Sequence, residues 1–124
     1  MVHFILYVRD QATSAAFYEA VLGAAPRLNV PGMTEFDVGA DAVLGLMPET
    51  GIKRLLGAAL PDPTRGSGVP RNELYLVVDD PEAHHLRALS NGAAELSPVS
   101  PRNWGADVGY SLDPDGHVLA FARR

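Results

Sequence analysis

Chemistry in this chain must come from oxygen and nitrogen donors. There is no cysteine, which excludes thiolate nucleophiles, disulfides, Cys-type zinc sites and iron–sulfur clusters. The informative side chains lie on two β-rich runs. Alternation along residues 3–8 puts His3, Ile5 and Tyr7 on one face, with Phe4, Leu6 and Val8 on the other. Along residues 73–78 it puts Glu73, Tyr75 and Val77 opposite Leu74, Leu76 and Val78. The apolar triplets should meet helices, so the imidazole, the carboxylate and two phenols point the other way. A histidine and a carboxylate so placed could ligate a divalent ion or move a proton. Without a ligand, such a carboxylate needs water or a partner. His84 and His85 are adjacent on a helical stretch, so their side chains diverge by about 100° and cannot chelate together. Both are expected at the surface. Asp79-Asp80 reads as a solvated acid and a helix cap, and His117 as a structural residue after a turn.

The elements that carry these residues occur twice. Residues 4–26 and 73–96 both open on an apolar run ending in Val-x-Asp, continue as a helix and close on Gly-Ala-Ala. Val8 to Gly23 spans fifteen positions and Val78 to Gly92 fourteen. Such self-similarity predicts a pseudo-twofold domain. Thr13 or Ser14 is the expected cap of the first helix; Asp80 caps the second, with Pro81 at its first position. Ala16, Phe17, Ala20 and Val21, and then Ala83, Leu86 and Leu89, follow helical spacing. Gly23 and Gly92 are the natural left-handed terminators. Short strands are expected at 26–30, 34–38 and 42–47, then at 95–99, 107–112 and 117–122. Asp113-Pro114-Asp115-Gly116 is a strong turn between the last two. Each half therefore reads β-α-β-β-β. The Pro- and Gly-rich residues 48–72 connect the halves, with one short helix expected in 51–60.

Composition narrows the partners. Hydrophobic residues at 47% and charged residues at 20% fit a globular domain and exclude a disordered tail or coiled coil. A net charge of −5 argues against a nucleic-acid-binding face. The single lysine, Lys53, and the scattered arginines form no polybasic membrane patch. No apolar run reaches the roughly 18 residues of a membrane span. Residues 1–10 carry no basic leader and no small-residue cleavage pattern, so a cytoplasmic location is expected.

Three motifs resemble those of the vicinal oxygen chelate superfamily of glyoxalases, extradiol dioxygenases and bleomycin- and fosfomycin-resistance proteins. They are Leu6-Tyr7-Val8-Arg9-Asp10, Phe17-Tyr18-Glu19-Ala20-Val21-Leu22-Gly23 and Asp113-Pro114-Asp115-Gly116-His117. Trp104-Gly105, nine residues before Asp113, is similar too. The resemblance implies an α+β fold: two βαβββ modules in tandem, their curled mixed sheets forming a cup with helices outside. It implies one domain over 1–124, with module one at about 1–48, a linker at about 49–71 and module two at about 72–124.

Metal-dependent members resemble one another at four cup-facing positions, on the first and last strand of each module. Carried over, these are His3, Gly45, Glu73 and Ala120. Both last-strand carboxylates are thus replaced, and their loss should free volume. Two surviving donors fall short of the three that a catalytic ion normally holds. The expectation is a metal-free small-molecule-binding protein of the glyoxalase/bleomycin-resistance type, with no cofactor. Its ligand would lie in the cup or a dimer cleft, against His3, Tyr7, Met47, Glu73, Tyr75, Trp104 and Tyr110. Apolar walls with a few polar anchors suit such a site, and the negative charge would favour a cationic ligand. One alternative is a lyase, isomerase or dioxygenase holding a divalent metal through His3, Glu73 and a third ligand. Glu35, Asp37 or Asp107 could supply it under a different strand register. A second alternative is a closed structural or regulatory module. A homodimer is expected in every case, with neither nucleic acid nor membrane as partner.

Overall fold

Two parallel strand pairs, each formed by the first and last strand of a half, organise the molecule. They appear in a computed structural model that describes residues 1–66 and 68–123; Ser67, in the expected linker, and Arg124, at the end of the expected second module, lie outside the described residues. The chain divides into two units, Met1–Glu19 with Gly23–Ser67, and Gly68–Arg124 with Ala20–Leu22.

In unit one, β1 (Val2–Val8) leads into α1 (Gln11–Leu22), then β2 (Leu28–Val30), β3 (Met33–Gly39) and β4 (Ala42–Pro48). The sheet order is β1-β4-β3-β2. β1 lies parallel to β4, which the intervening helix permits, and the other pairs are antiparallel. The cap of α1 is Asp10, not Thr13 or Ser14: its carboxylate accepts from the Thr13 N–H. Asp10 already has extended backbone angles, so the helix starts earlier than the hydroxyls suggested. Gly23 ends it with φ +69°. Ser14, Phe17, Tyr18 and Val21 form its buried stripe, while Ala16 is exposed. Leu6, Val8, Thr34, Phe36, Leu44 and Leu46 are the buried face of the sheet. Each large apolar side chain among them contributes about 1.5–3 kcal/mol by leaving water. Phe4 shares their face but is 66% exposed, so only part of the expected triplet is covered.

The connection holds α2 (Glu49–Leu56), followed by single 3₁₀ turns at Gly57–Ala59 and Pro63–Gly66. The expected helix in 51–60 thus starts two residues early and breaks at Gly57. The Lys53 ammonium donates to the Gly57 and Leu60 carbonyls and closes that break.

Unit two repeats the order: β5 (Glu73–Val77), α3 (Pro81–Ser90), β6 (Ala94–Pro101), β7 (Asp107–Leu112) and β8 (Val118–Arg123). The sheet order is β5-β8-β7-β6, with β5 parallel to β8. Asp80 caps α3 by accepting from the Ala83 N–H, and Pro81 opens the helix. The Asp113–Gly116 turn closes through the His117 carbonyl and the Asp113 carboxylate, as its sequence predicts. α3 lies across β6, β7 and β8. It presents Pro81, His85 and Ala88 to the sheet, whereas Leu86 is 62% exposed. The expected Ala83-Leu86-Leu89 face is therefore rotated by about one residue.

Candidate functional site

The strand registers place the sequence-predicted residues on one face of each sheet. In unit one, His3 pairs with Val43, Ile5 with Gly45 and Tyr7 with Met47. Glu35 stands on the other side of Gly45, and Asp37 beside Val43. His3, Tyr7 and Met47 thus share a face, joined by Glu35, Asp37 and Met33. The His3 Nδ1 lies 3.4 Å from a Glu35 carboxylate oxygen, a long contact between two partly exposed groups. Asp37 faces Arg27 at 3.6 Å.

Gly45 is where the resemblance places a carboxylate, and its neighbours crowd that position. A Cβ on Gly45 would lie 3.0 Å from Ile5 Cγ1 and 3.3 Å from Met33 Sδ. The volume expected from the missing side chain is therefore filled. The Ile5 and Met33 side chains lie over the glycine.

In unit two, Tyr75 and Tyr110 flank Ala120 from the two adjacent strands. They pack on a buried cluster of Ala106, Val108, Ala120 and Ala122. Here too the space left by a small residue is closed, by aromatic rings rather than aliphatic chains. The Trp104 indole N–H donates to the Tyr75 hydroxyl at 3.3 Å, and the indole is 57% exposed. Glu73 is exposed at the start of β5, two residues before Tyr75 on the same face. Burial pushes the Tyr110 phenol above its ordinary value, and the negative charge of Glu73 adds to the rise. Glu73, Tyr75 and Tyr110 thus share a face of the unit-two sheet, with Trp104 bonded to Tyr75.

Sequence reasoning missed Arg102. Its guanidinium stands 5.1 Å from the centre of the Tyr110 ring. It donates to the Val108 and Pro98 carbonyls and to the Ser97 hydroxyl. An arginine two residues before the lone tryptophan was the available signal.

The surface assignment is overturned for His85. His85 is 3% exposed, and its Nε2 lies 2.8 Å from the Glu95 carboxylate. A Cβ on Gly109 would lie 3.0 Å from His85 Nδ1, so the glycine opens the seat for the imidazole. His84 is half-buried and lies against Phe121, with ring centres 5.2 Å apart. Their separate partners agree with the expectation that the pair cannot chelate. Asp107 lies on the helix-bearing face, bonded to Arg123, away from Glu73.

A family model for the glyoxalase/bleomycin resistance protein/dioxygenase superfamily matches residues 1–121. The chain belongs to that superfamily. An uncharacterised protein of Mycobacterium bovis is 29% identical over 115 residues, covering 90% of this chain and 75% of that protein. A glyoxalase-related enzyme from Fulvimarina pelagi superposes with a TM-score of 0.83 at 23% identity, covering 100% of this chain and 87% of that one. A glyoxalase/bleomycin resistance protein/dioxygenase family enzyme from Burkholderia phytofirmans gives a TM-score of 0.83 at 17% identity, over 98% and 95% of the two chains. These similarities bear on fold.

The resemblance places the carboxylates of metal-dependent members at Gly45 and Ala120, which carry none. Among the described residues no group of three or more His, Asp or Glu side chains could hold an ion. His3 with Glu35 supplies two donors in unit one, and the position beside them is closed by Ile5 and Met33. The residues present do not fit the family's metal. A groove of about 530 Å³ lies instead between α1 and β2, walled by Ala12, Ala15, Ala16 and Val30 with Glu19 and Asn29. None of the seven expected ligand-contact residues lines it. No helix among the described residues is long and apolar enough to cross a membrane.

Proposed function

We propose that this superfamily member binds a flat, positively charged small molecule without using a metal. The observation that carries the reading is the fate of the two missing carboxylates. Gly45 lies against Ile5 and Met33, and Ala120 lies in the buried cluster on which Tyr75 and Tyr110 pack, and this crowding supports a metal-free reading. What remains is apolar and aromatic surface with few polar anchors, the composition of a small-molecule site. Glu73 has an exposed carboxylate beside those rings, and the chain carries a net charge of −5. Both favour a cation. A cytoplasmic homodimer is part of the proposal, with the ligand in the cup of the sheets or in the dimer cleft.

The runner-up is a metal-dependent lyase, isomerase or dioxygenase, and the His3–Glu35 contact favours it. Elemental analysis separates the two. The protein is dialysed separately against Ni²⁺, Zn²⁺, Mn²⁺ and Fe²⁺, with Glu73→Ala alongside. We expect no stoichiometric uptake. One equivalent of metal, lost in Glu73→Ala, would replace this proposal with the runner-up. Calorimetric titration with 1-methylquinolinium and with 2-naphthoate then tests ligand charge. The cation should bind and the anion should not; the reverse order would reject the cationic part of the reading.

A further inference from the structure

We propose that Arg102 is the positioning residue of the unit-two face: its guanidinium fixes Tyr110 and the loop that presents Trp104. The proposal rests on reading that face as the ligand surface. β6 is the irregular strand of its sheet, and its register against β7 shifts between Glu95 and Ser97 and again between Ser97 and Ser100. Shifts of this kind break the ladder and leave backbone groups in need of partners. Arg102 supplies them. Its Nη2 donates to the Ser97 hydroxyl at 2.7 Å, the Val108 carbonyl at 2.8 Å and the Pro98 carbonyl at 3.3 Å. Its Nε also donates to the Val108 carbonyl, at 3.2 Å. The same planar group covers the Tyr110 ring.

The backbone of Arg102 starts the loop that ends at Ala106. Its N–H donates to the Ala106 carbonyl at 2.8 Å, and the Gly105 N–H donates back to the Arg102 carbonyl at 3.2 Å. Gly105 has φ +88°, which lets the chain reverse within so few residues. The loop is therefore tied at its base by Arg102 and at its tip by the indole–Tyr75 bond. Only a planar fork reaches a hydroxyl and two carbonyls while lying on a ring. A lysine offers charge without that shape.

Trp104 is the one tryptophan of the chain, so a single indole N–H resonance reports the loop tip. Tyr75→Phe, which removes the acceptor, gives the reference position of a released indole. Arg102→Lys should move the resonance toward that position. It should also weaken 1-methylquinolinium binding by about tenfold or more, because the face is no longer preorganised. A folded Arg102→Lys whose indole resonance stays at the wild-type position would overturn the proposal. Ser97→Ala, which removes one acceptor of the guanidinium, provides the same test if Arg102→Lys does not fold; it should give a smaller displacement in the same direction, and no displacement would again overturn it. Failure of the wild type to bind the probe would count against the ligand reading, while the indole shift would still decide the role of Arg102.

Discussion

The two units share topology and differ in how they fill the same gap. At Gly45 in unit one, the flanking residues in register are Ile5 and Glu35. At Ala120 in unit two they are Tyr75 and Tyr110. Unit one closes the gap with Ile5 and Met33, and Ile5 itself stays 43% exposed. Unit two closes it with rings on a buried alanine and valine floor. Aliphatic chains at a surface can move aside, whereas packed aromatic rings resist. The repeated frame therefore carries a soft face in unit one and a rigid face in unit two.

Restoring the carboxylates should expose that difference most strongly. Ala120→Glu buries a charge in an alanine–aromatic cluster where the Arg102 guanidinium over Tyr110 is already engaged by Ser97, Pro98 and Val108, and should cost about 3–5 kcal/mol. Gly45→Glu needs only Ile5 and Met33 to move, and should cost about 1–3 kcal/mol. Urea denaturation of both variants measures the gap, and equal losses would remove the distinction between soft and rigid. A methyl group gives a second comparison. In Gly109→Ala the new Cβ would meet the half-buried Val99 at Cγ2, 2.8 Å away, and the buried His85 at Nδ1, 3.0 Å away, costing about 1–3 kcal/mol. Gly45→Ala should cost less, since its nearest contacts, Ile5 Cγ1 at 3.0 Å and Met33 Sδ at 3.3 Å, are looser and Ile5 is 43% exposed. A larger loss at position 45 than at 109 would invert the assignment. The two histidine–acid contacts extend the series. Glu95→Ala strands the Nε2 of an imidazole that is 3% exposed, at about 1–2 kcal/mol. Glu35→Ala breaks a 3.4 Å contact between partly exposed groups and should change stability by about 0–1 kcal/mol, measured in the same way.

The repeat, the sheet faces and the Asp113–Gly116 turn were legible in the sequence because each rests on local rules. Period-two alternation puts His3 with Tyr7 and Glu73 with Tyr75, and the registers keep them so. Other features depend on contacts far apart in sequence. The seat of His85 needs Gly109 from β7 and Glu95 from β6, which no helical pattern announces. An apolar-stripe rule prefers Leu86 on the buried face, but the histidine has both room and a partner there. Ile5 and Met33 closing over Gly45 is likewise a cross-strand event, so an absent side chain read as volume became packing. Arg102 escaped notice for the same reason, since its acceptors on Ser97, Pro98 and Val108 are exposed by a register shift.

The smallest effect concerns the electrostatics of the rigid face. The Tyr110 phenol is held above its ordinary 10.0 by burial first and by the Glu73 charge next, with Arg102 pulling the other way. Its folded value therefore exceeds its unfolded value. The stability it contributes is fully present below the unfolded value and is lost as pH rises through the raised one. Tyr110→Phe should flatten the alkaline end of the stability profile, and Glu73→Gln should lower the titration midpoint of Tyr110 followed by ring-carbon NMR. Unit one supplies the control. Glu35→Gln changes a carboxylate that is no cause of the Tyr110 shift, and should leave the midpoint in place. If Glu73→Gln and Glu35→Gln moved the midpoint equally, Glu73 would not be the charge that acts on this face, and the cationic preference assigned to it would lose its source.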